Sequence, residues 1–147
     1  MAVSGAVGRA GVLVVEDSPA YQELYEEVLN VDFDLRIVGS SKEAQACLQE
    51  QSYDLLLVDM RLRADERGNV GGLEVAELAF ALDPSIAIVL KSGYPIETLE
   101  VASRLERIHA QVLTKGSDNQ VGELLGAVRR ALSRQRERVA AVPKMGV

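Results

Sequence analysis

Five short aliphatic runs punctuate the chain, and between them apolar residues recur at helical spacing. Val12-Leu13-Val14-Val15, Leu55-Leu56-Leu57-Val58 and Ile86-Ala87-Ile88-Val89-Leu90 have no polar alternation. Such runs predict strands covered on both faces, as in a parallel sheet. Leu35-Arg36-Ile37-Val38 alternates more and predicts a strand at a sheet edge, while Gln111-Val112-Leu113-Thr114 predicts a short fifth strand.

The intervening segments read as helices. Ser18-Pro19 places a capping residue before a proline at the first helical position. The helix it opens carries Tyr21, Leu24, Tyr25, Val28 and Leu29 on one face. Ser40 with Glu43 forms a capping box and starts a helix reaching Gln51. A third helix is predicted from Gly72 to Leu82, halted by Asp83-Pro84. A weakly patterned fourth is predicted from Pro95 to Ile108. Ser117 and Gln120 make a second capping box ahead of a helix with the stripe Val121, Leu124, Leu125, Val128 and Leu132. Strands alternating with helices over short connections predict an α/β fold, a five-stranded parallel sheet with helices on both faces.

At 147 residues the chain is about one domain. Trp is absent and aromatics are scarce, so the core must come from Val, Leu, Ile and Ala. The one cysteine, Cys47, reads as a small apolar helix residue, and one cysteine cannot form an internal disulfide. That fits a reducing compartment. The chain also lacks a signal-peptide h-region or a run of transmembrane length, so a cytoplasmic protein with no membrane partner is expected. The net charge of −6 is uneven: the last nineteen residues carry +5, leaving −11 on the rest. An acidic body argues against direct nucleic-acid binding by the core, because phosphate contacts need clustered Lys and Arg.

The candidate chemistry sits where the apolar runs end. The first ends in Glu16-Asp17, the third in Asp59; Ser92 follows the fourth and Lys115 the fifth. In an open parallel sheet all of these share the carboxyl edge, where ligands collect. Three carboxylates in one crevice repel, and unaided at least one should remain protonated. A divalent cation with hard oxygen ligands resolves the conflict, and Mg²⁺ suits one or two carboxylates, waters and phosphate oxygens. With Lys115 as a second cation, the set is equipped for phosphoryl transfer to a carboxylate.

Leu13-Val14-Val15-Glu16-Asp17, Leu55-Leu56-Leu57-Val58-Asp59, Ser92-Gly93 and Leu113-Thr114-Lys115 together resemble the receiver domains of two-component response regulators, over roughly Gly11 to Leu132. The resemblance implies the flavodoxin-like strand order 2-1-3-4-5 and a receiver domain over residues 11–133. A flexible lead-in, 1–10, and a basic extension or linker, 134–147, flank it. It implies that Asp59 accepts a phosphoryl group from a sensor histidine kinase or phosphotransfer protein, switching partner interactions. Mg²⁺ would be held by Asp17, Glu16, Asp59 and the Arg61 backbone carbonyl. Ser92 would donate to a phosphoryl oxygen, and Lys115 would pair with the phosphoryl group or with Asp59. Such a domain is a signalling module, not an enzyme beyond its own phosphorylation and dephosphorylation. With no effector segment following, it is expected either to stand alone or to be the amino-terminal piece of a longer regulator. The basic last helix is expected to project beyond the core, as a linker or as a homodimer-forming helix.

Some positions depart from the family pattern. Gly116 replaces the usual Pro after Lys115, Val112 stands where Tyr or Phe is usual, and the segment from Asp59 to Gly72 is long. An acid-nucleophile phosphatase would want a second Asp two residues after Asp59, but Arg61 is there. The alternative that stays open is a pseudo-receiver, a protein-interaction module that is not phosphorylated. His109 reads as a loop or helix-end residue and not a ligand.

Overall fold

The computed structural model describes residues 9–62, 71–93, 96, 98–114 and 120–141. Five strands alternate with five helices: β1 (Gly11–Val15), α1 (Pro19–Leu29), β2 (Asp34–Val38), α2 (Ser41–Glu50), β3 (Leu55–Asp59), α3 (Gly71–Leu82), β4 (Ala87–Ser92), α4 (Leu99–Arg107), β5 (Gln111–Thr114) and α5 (Gln120–Ala141). The strands form one parallel sheet in the order β2-β1-β3-β4-β5. The three continuous aliphatic runs are the three central strands, each buried throughout. The partly exposed β2 and β5 are its edges.

Alternation along each central strand divides the core in two. Val12, Val14, Leu55, Leu57, Ala87 and Val89 pack with Tyr25 and Leu29 of α1 and with Leu124, Ala127, Val128 and Leu132 of α5. Leu13, Val15, Leu56, Val58, Ile88 and Leu90 pack with Ala44 and Cys47 of α2, Leu73 and Ala76 of α3, and Leu105 of α4. Each such Leu contributes about 1.5–3 kcal/mol by leaving water. Cys47 behaves as the small apolar helix residue expected.

Several element ends differ from the sequence reading. Strand β4 does not stop at Leu90: Lys91 pairs in register with Asp59 and Leu113, and its carbonyl accepts from Met60 N–H at 2.8 Å. Helix α4 starts at Leu99 because the Thr98 hydroxyl accepts from Val101 N–H at 3.2 Å, a stronger start signal than the upstream Pro95, which lies outside the described residues. The cap at Ser40 forms as expected, accepting from Glu43 N–H at 3.2 Å. Ser18 does not cap with its side chain. The second capping box falls outside the described residues in part, at Ser117. His109 closes α4 with a φ of 55° and rests against Phe80, a helix-end residue as expected.

Helix α5 runs well past its last buried apolar residue, Leu132, and stays against the body. Gln135 donates to Asp54 O and Arg138 to Ile86 O, both at 3.2 Å. The expected projection therefore does not begin at residue 134: polar contacts replace the apolar stripe and hold the helix along the sheet as far as Arg138. At the other end, Ala10 O accepts from Asp34 N–H at 2.9 Å and the Arg9 guanidinium reaches the carbonyls of Asn30 and Phe33, so the expected lead-in is tied down in its last two residues.

Candidate functional site

Burying a polar side chain is unfavourable unless it finds a partner, so the location of such residues is informative. Among the described residues the buried polar or charged side chains are Glu16, Asp59, Lys91 and Ser92. Asp59 ends β3, Ser92 ends β4 and Glu16 directly follows β1, so all lie at the carboxyl edge of the sheet's centre.

Each is placed by backbone geometry. Glu16 N–H donates to Val38 O at 3.0 Å, extending the ladder one residue past β1. Its carbonyl accepts from Gln22 Nε2 at 2.6 Å, and its Oε2 accepts from Ser18 N–H at 3.0 Å. The carboxylate thus takes over the entry to α1 that the Ser18 side chain leaves uncapped. Asp59 Oδ1 accepts from Arg61 N–H at 3.1 Å, turning the chain sharply after β3 and leaving the Arg61 side chain exposed. Gly72 then comes back onto that turn, its N–H donating to Met60 O at 3.0 Å. A Cβ at Gly72 would lie 1.8 Å from the Asp59 carbonyl oxygen, so only glycine allows this approach.

One carboxylate oxygen from each of Glu16, Asp17 and Asp59 falls within 4.8 Å of the others. The sequence-derived acids are therefore brought together by the sheet. Three hard, anionic oxygen donors at that spacing fit Mg²⁺ or another small divalent cation. Ser92 lies one strand over, paired in register with Thr114. Lys115 and Gly116 lie outside the described residues, as does the segment 63–70. Val112, in the position of the family's aromatic, is partly exposed on β5.

Sequence reasoning missed Lys91. Its Nζ lies 3.2 Å from Glu16 Oε1 with both side chains almost fully buried. The ammonium also sits over the rings of Tyr21 and Tyr25, 3.9 and 4.4 Å from their centroids. Such cation–π contacts strengthen when desolvated, to about 2 kcal/mol. A signal was present in β4: Ala87, Val89 and Lys91 share parity, so the lysine had to point to the same sheet face as Leu55, Leu57 and Asp59.

No family model matches the chain. Over 90 residues it is 31% identical to the transcriptional regulatory protein ComA of Bacillus subtilis, a stretch covering 58% of this chain and 40% of ComA. Over 86 residues it is 33% identical to a protein-glutamate methylesterase/protein-glutamine glutaminase of Agrobacterium fabrum, covering 56% of this chain and 23% of that protein. The chain spans less than half the length of these relatives. Among solved structures, a CheY-like response regulator receiver domain protein from Methanospirillum hungatei superposes with a TM-score of 0.74 at 21% identity, covering 89% of this chain and 99% of that one. A response regulator receiver protein from Sinorhizobium medicae gives 0.72 at 24% identity, covering 88% and 99%. The chain has the CheY-like receiver fold, and the resemblance read from its sequence is borne out.

Proposed function

We propose that this receiver-fold domain is a phosphoacceptor of two-component signalling, taking a phosphoryl group on Asp59 from a sensor histidine kinase or phosphotransfer protein. The observation that carries the proposal is the convergence of Glu16, Asp17 and Asp59 at the carboxyl edge, with Asp59 buried at the end of a central strand. Mg²⁺ would be held by Glu16, Asp17, Asp59 and the Arg61 backbone carbonyl, and when bound it neutralises charge on the transferring group. The remaining work falls to the chain. An Asp59 carboxylate oxygen forms the new P–O bond while the bond from phosphorus to the donor breaks, the donor leaving with that electron pair. The Arg61 N–H on Asp59 Oδ1 fixes the carboxylate's rotation, which favours presentation of the other oxygen. Ser92 would donate to a phosphoryl oxygen, and Lys115 would pair with the phosphoryl group.

Transfer to Asp59 and later loss to water would be the extent of its chemistry. We assign the domain to the cytoplasm together with that role; no helix among the described residues is long and apolar enough to cross a membrane. Incubation with acetyl phosphate or phosphoramidate and Mg²⁺ should add one phosphoryl mass, lost in Asp59→Asn and weakened in Asp17→Asn. Undiminished labelling of Asp59→Asn would overturn the assignment; no labelling of the parent protein would favour the pseudo-receiver.

A further inference from the structure

We propose that Lys91 is a built-in cation of the acid crevice, a positioning residue that holds Glu16 and competes with the divalent metal for its carboxylate. This rests on the metal reading above and goes beyond it, because it makes one lysine on β4 the setting of the site's metal affinity. Lys91 is 4% exposed, and its ammonium is 3.2 Å from Glu16 Oε1. The other carboxylate oxygen, Oε2, already accepts from Ser18 N–H. Both oxygens of Glu16 are thus engaged from within the protein, and a metal drawing on Oε1 must share it with a full positive charge.

The backbone that carries this charge is fixed. Lys91 lies inside the strand ladder, paired with Asp59 and Leu113, so its backbone cannot swing away. Tyr21 and Tyr25, stacked with centroids 5.9 Å apart, cover the ammonium from α1. A cleft between α1 and α5, lined by Tyr21, Tyr25, Leu113, Thr114 and Glu123, opens beside it. The lysine therefore has somewhere to yield when metal claims Glu16. Two consequences follow from Coulomb's law in a site shielded from water. Lys91 relieves the mutual repulsion of the acids when no metal is bound, and it repels a dication that enters.

The test is metal binding measured directly, by loss of the free Mn²⁺ EPR signal and by Mg²⁺ competition. Lys91→Met should bind both ions at least about 10-fold more tightly than the parent protein. Lys91→Arg, which keeps the charge, should stay within about 3-fold, because one conserved unit charge dominates at this range. Lys91→Gln keeps a donor for Glu16 without the charge and decides the matter if the methionine variant does not fold. In a Glu16→Gln background the gain from Lys91→Met should shrink, which a merely structural role would not produce. A reading on the parent protein stands beside these. With four tyrosines and no tryptophan, intrinsic emission should change on Mn²⁺-free Mg²⁺ titration as the ammonium shifts over the Tyr21 and Tyr25 rings, and the change should shrink in Tyr21→Leu, which leaves Tyr25 alone to report. Measurable but equal affinity in parent and charge-removed variants, or silent tyrosine emission at saturation, overturns the proposal and spares the metal reading. Absence of binding in the parent and every variant overturns both.

Discussion

The two ends of the sheet use charge in opposite ways. At the carboxyl edge Glu16, Asp59 and Lys91 are buried and face one another across three strands. At the amino edge charged and polar side chains close off the backbone instead. Asp54 Oδ2 accepts from Gly11 N–H at 2.7 Å, and Gln135 and Arg138 reach the carbonyls of Asp54 and Ile86. Free N–H and C=O groups at strand ends are a fixed liability of the fold, and the amino edge spends its polar residues on them. At the carboxyl edge Met60 and Gly72 donate to backbone carbonyls of the turn, and each acid gives one oxygen to a backbone N–H, Asp59 Oδ1 to Arg61 and Glu16 Oε2 to Ser18. The same acids still serve the crevice: Glu16 meets Lys91 with its other oxygen, and it lies within 4.8 Å of Asp17 and Asp59. Mutations at the two edges should separate accordingly: one set acts on the site, the other on stability alone.

The largest expected effect is at the carboxyl edge. Gly72→Ala puts a methyl group into the Asp59 carbonyl, a clash that α3 or the end of β3 must relieve by moving. Overpacking against backbone costs about 3 kcal/mol or more. Because the displaced group is Asp59 itself, labelling by acetyl phosphate should fall in whatever fraction remains folded. Chemical denaturation with mass-spectrometric labelling checks both; a variant of parental stability would show that the turn can give way freely.

At the amino edge Asp54→Ala removes a charged acceptor and leaves Gly11 N–H without its side-chain partner. The loss should be about 1.5–3 kcal/mol, the range for a hydrogen bond to a charged group. Labelling of Asp59 at saturating Mg²⁺ should be unchanged, since Asp54 lies at the opposite end of β3. A labelling defect comparable to that of Asp17→Asn would erase the distinction between the edges.

How much of this could be read beforehand follows the same division. The central strands were legible because a sheet covered on both faces leaves no polar position in Leu55 to Val58, and the acids were legible because they interrupt such runs. The strand order came from the receiver resemblance, since aliphatic runs carry no pairing information. Lys91 fell outside the fourth aliphatic run, which ends at Leu90: a lysine normally ends a buried strand, unless a carboxylate waits for it, and Glu16 lies 75 positions away in sequence. Gly72 was read only as a helix start, for its contact with Asp59 exists only once the chain folds back. The reach of α5 was underestimated because Gln135 and Arg138 bind through polar tips that leave no apolar stripe.

The smallest effect lies away from both edges, where Glu77 of α3 meets Arg104 of α4. The contact is two-pronged, Arg104 Nε to Oε2 at 2.9 Å and the terminal nitrogen to Oε1 at 2.6 Å. The Arg104 hydrogen bonds hold the Glu77 carboxyl below its ordinary value of 4.5, against the opposing pull of partial burial. A depressed folded-state pKa means that the ionised form is favoured by folding. The stabilisation is then fully present above the unfolded value near 4.5 and is lost as pH falls through the lower folded value. With about a third of the Glu77 side chain exposed, solvent screens the pair, and its worth is about 0.5–1 kcal/mol. Glu77→Gln should therefore melt slightly below the parent at pH 7, and the gap should close as pH drops below the ordinary glutamate range. Comparing the two proteins isolates this pair from the acids of the crevice, which are common to both. A gap of constant size down to pH 3 would mean that the side chains pack without the charge mattering. A gap approaching that of Asp54→Ala would mean that a solvent-facing pair between helices can match a strand-end hydrogen bond, contrary to the order argued from burial.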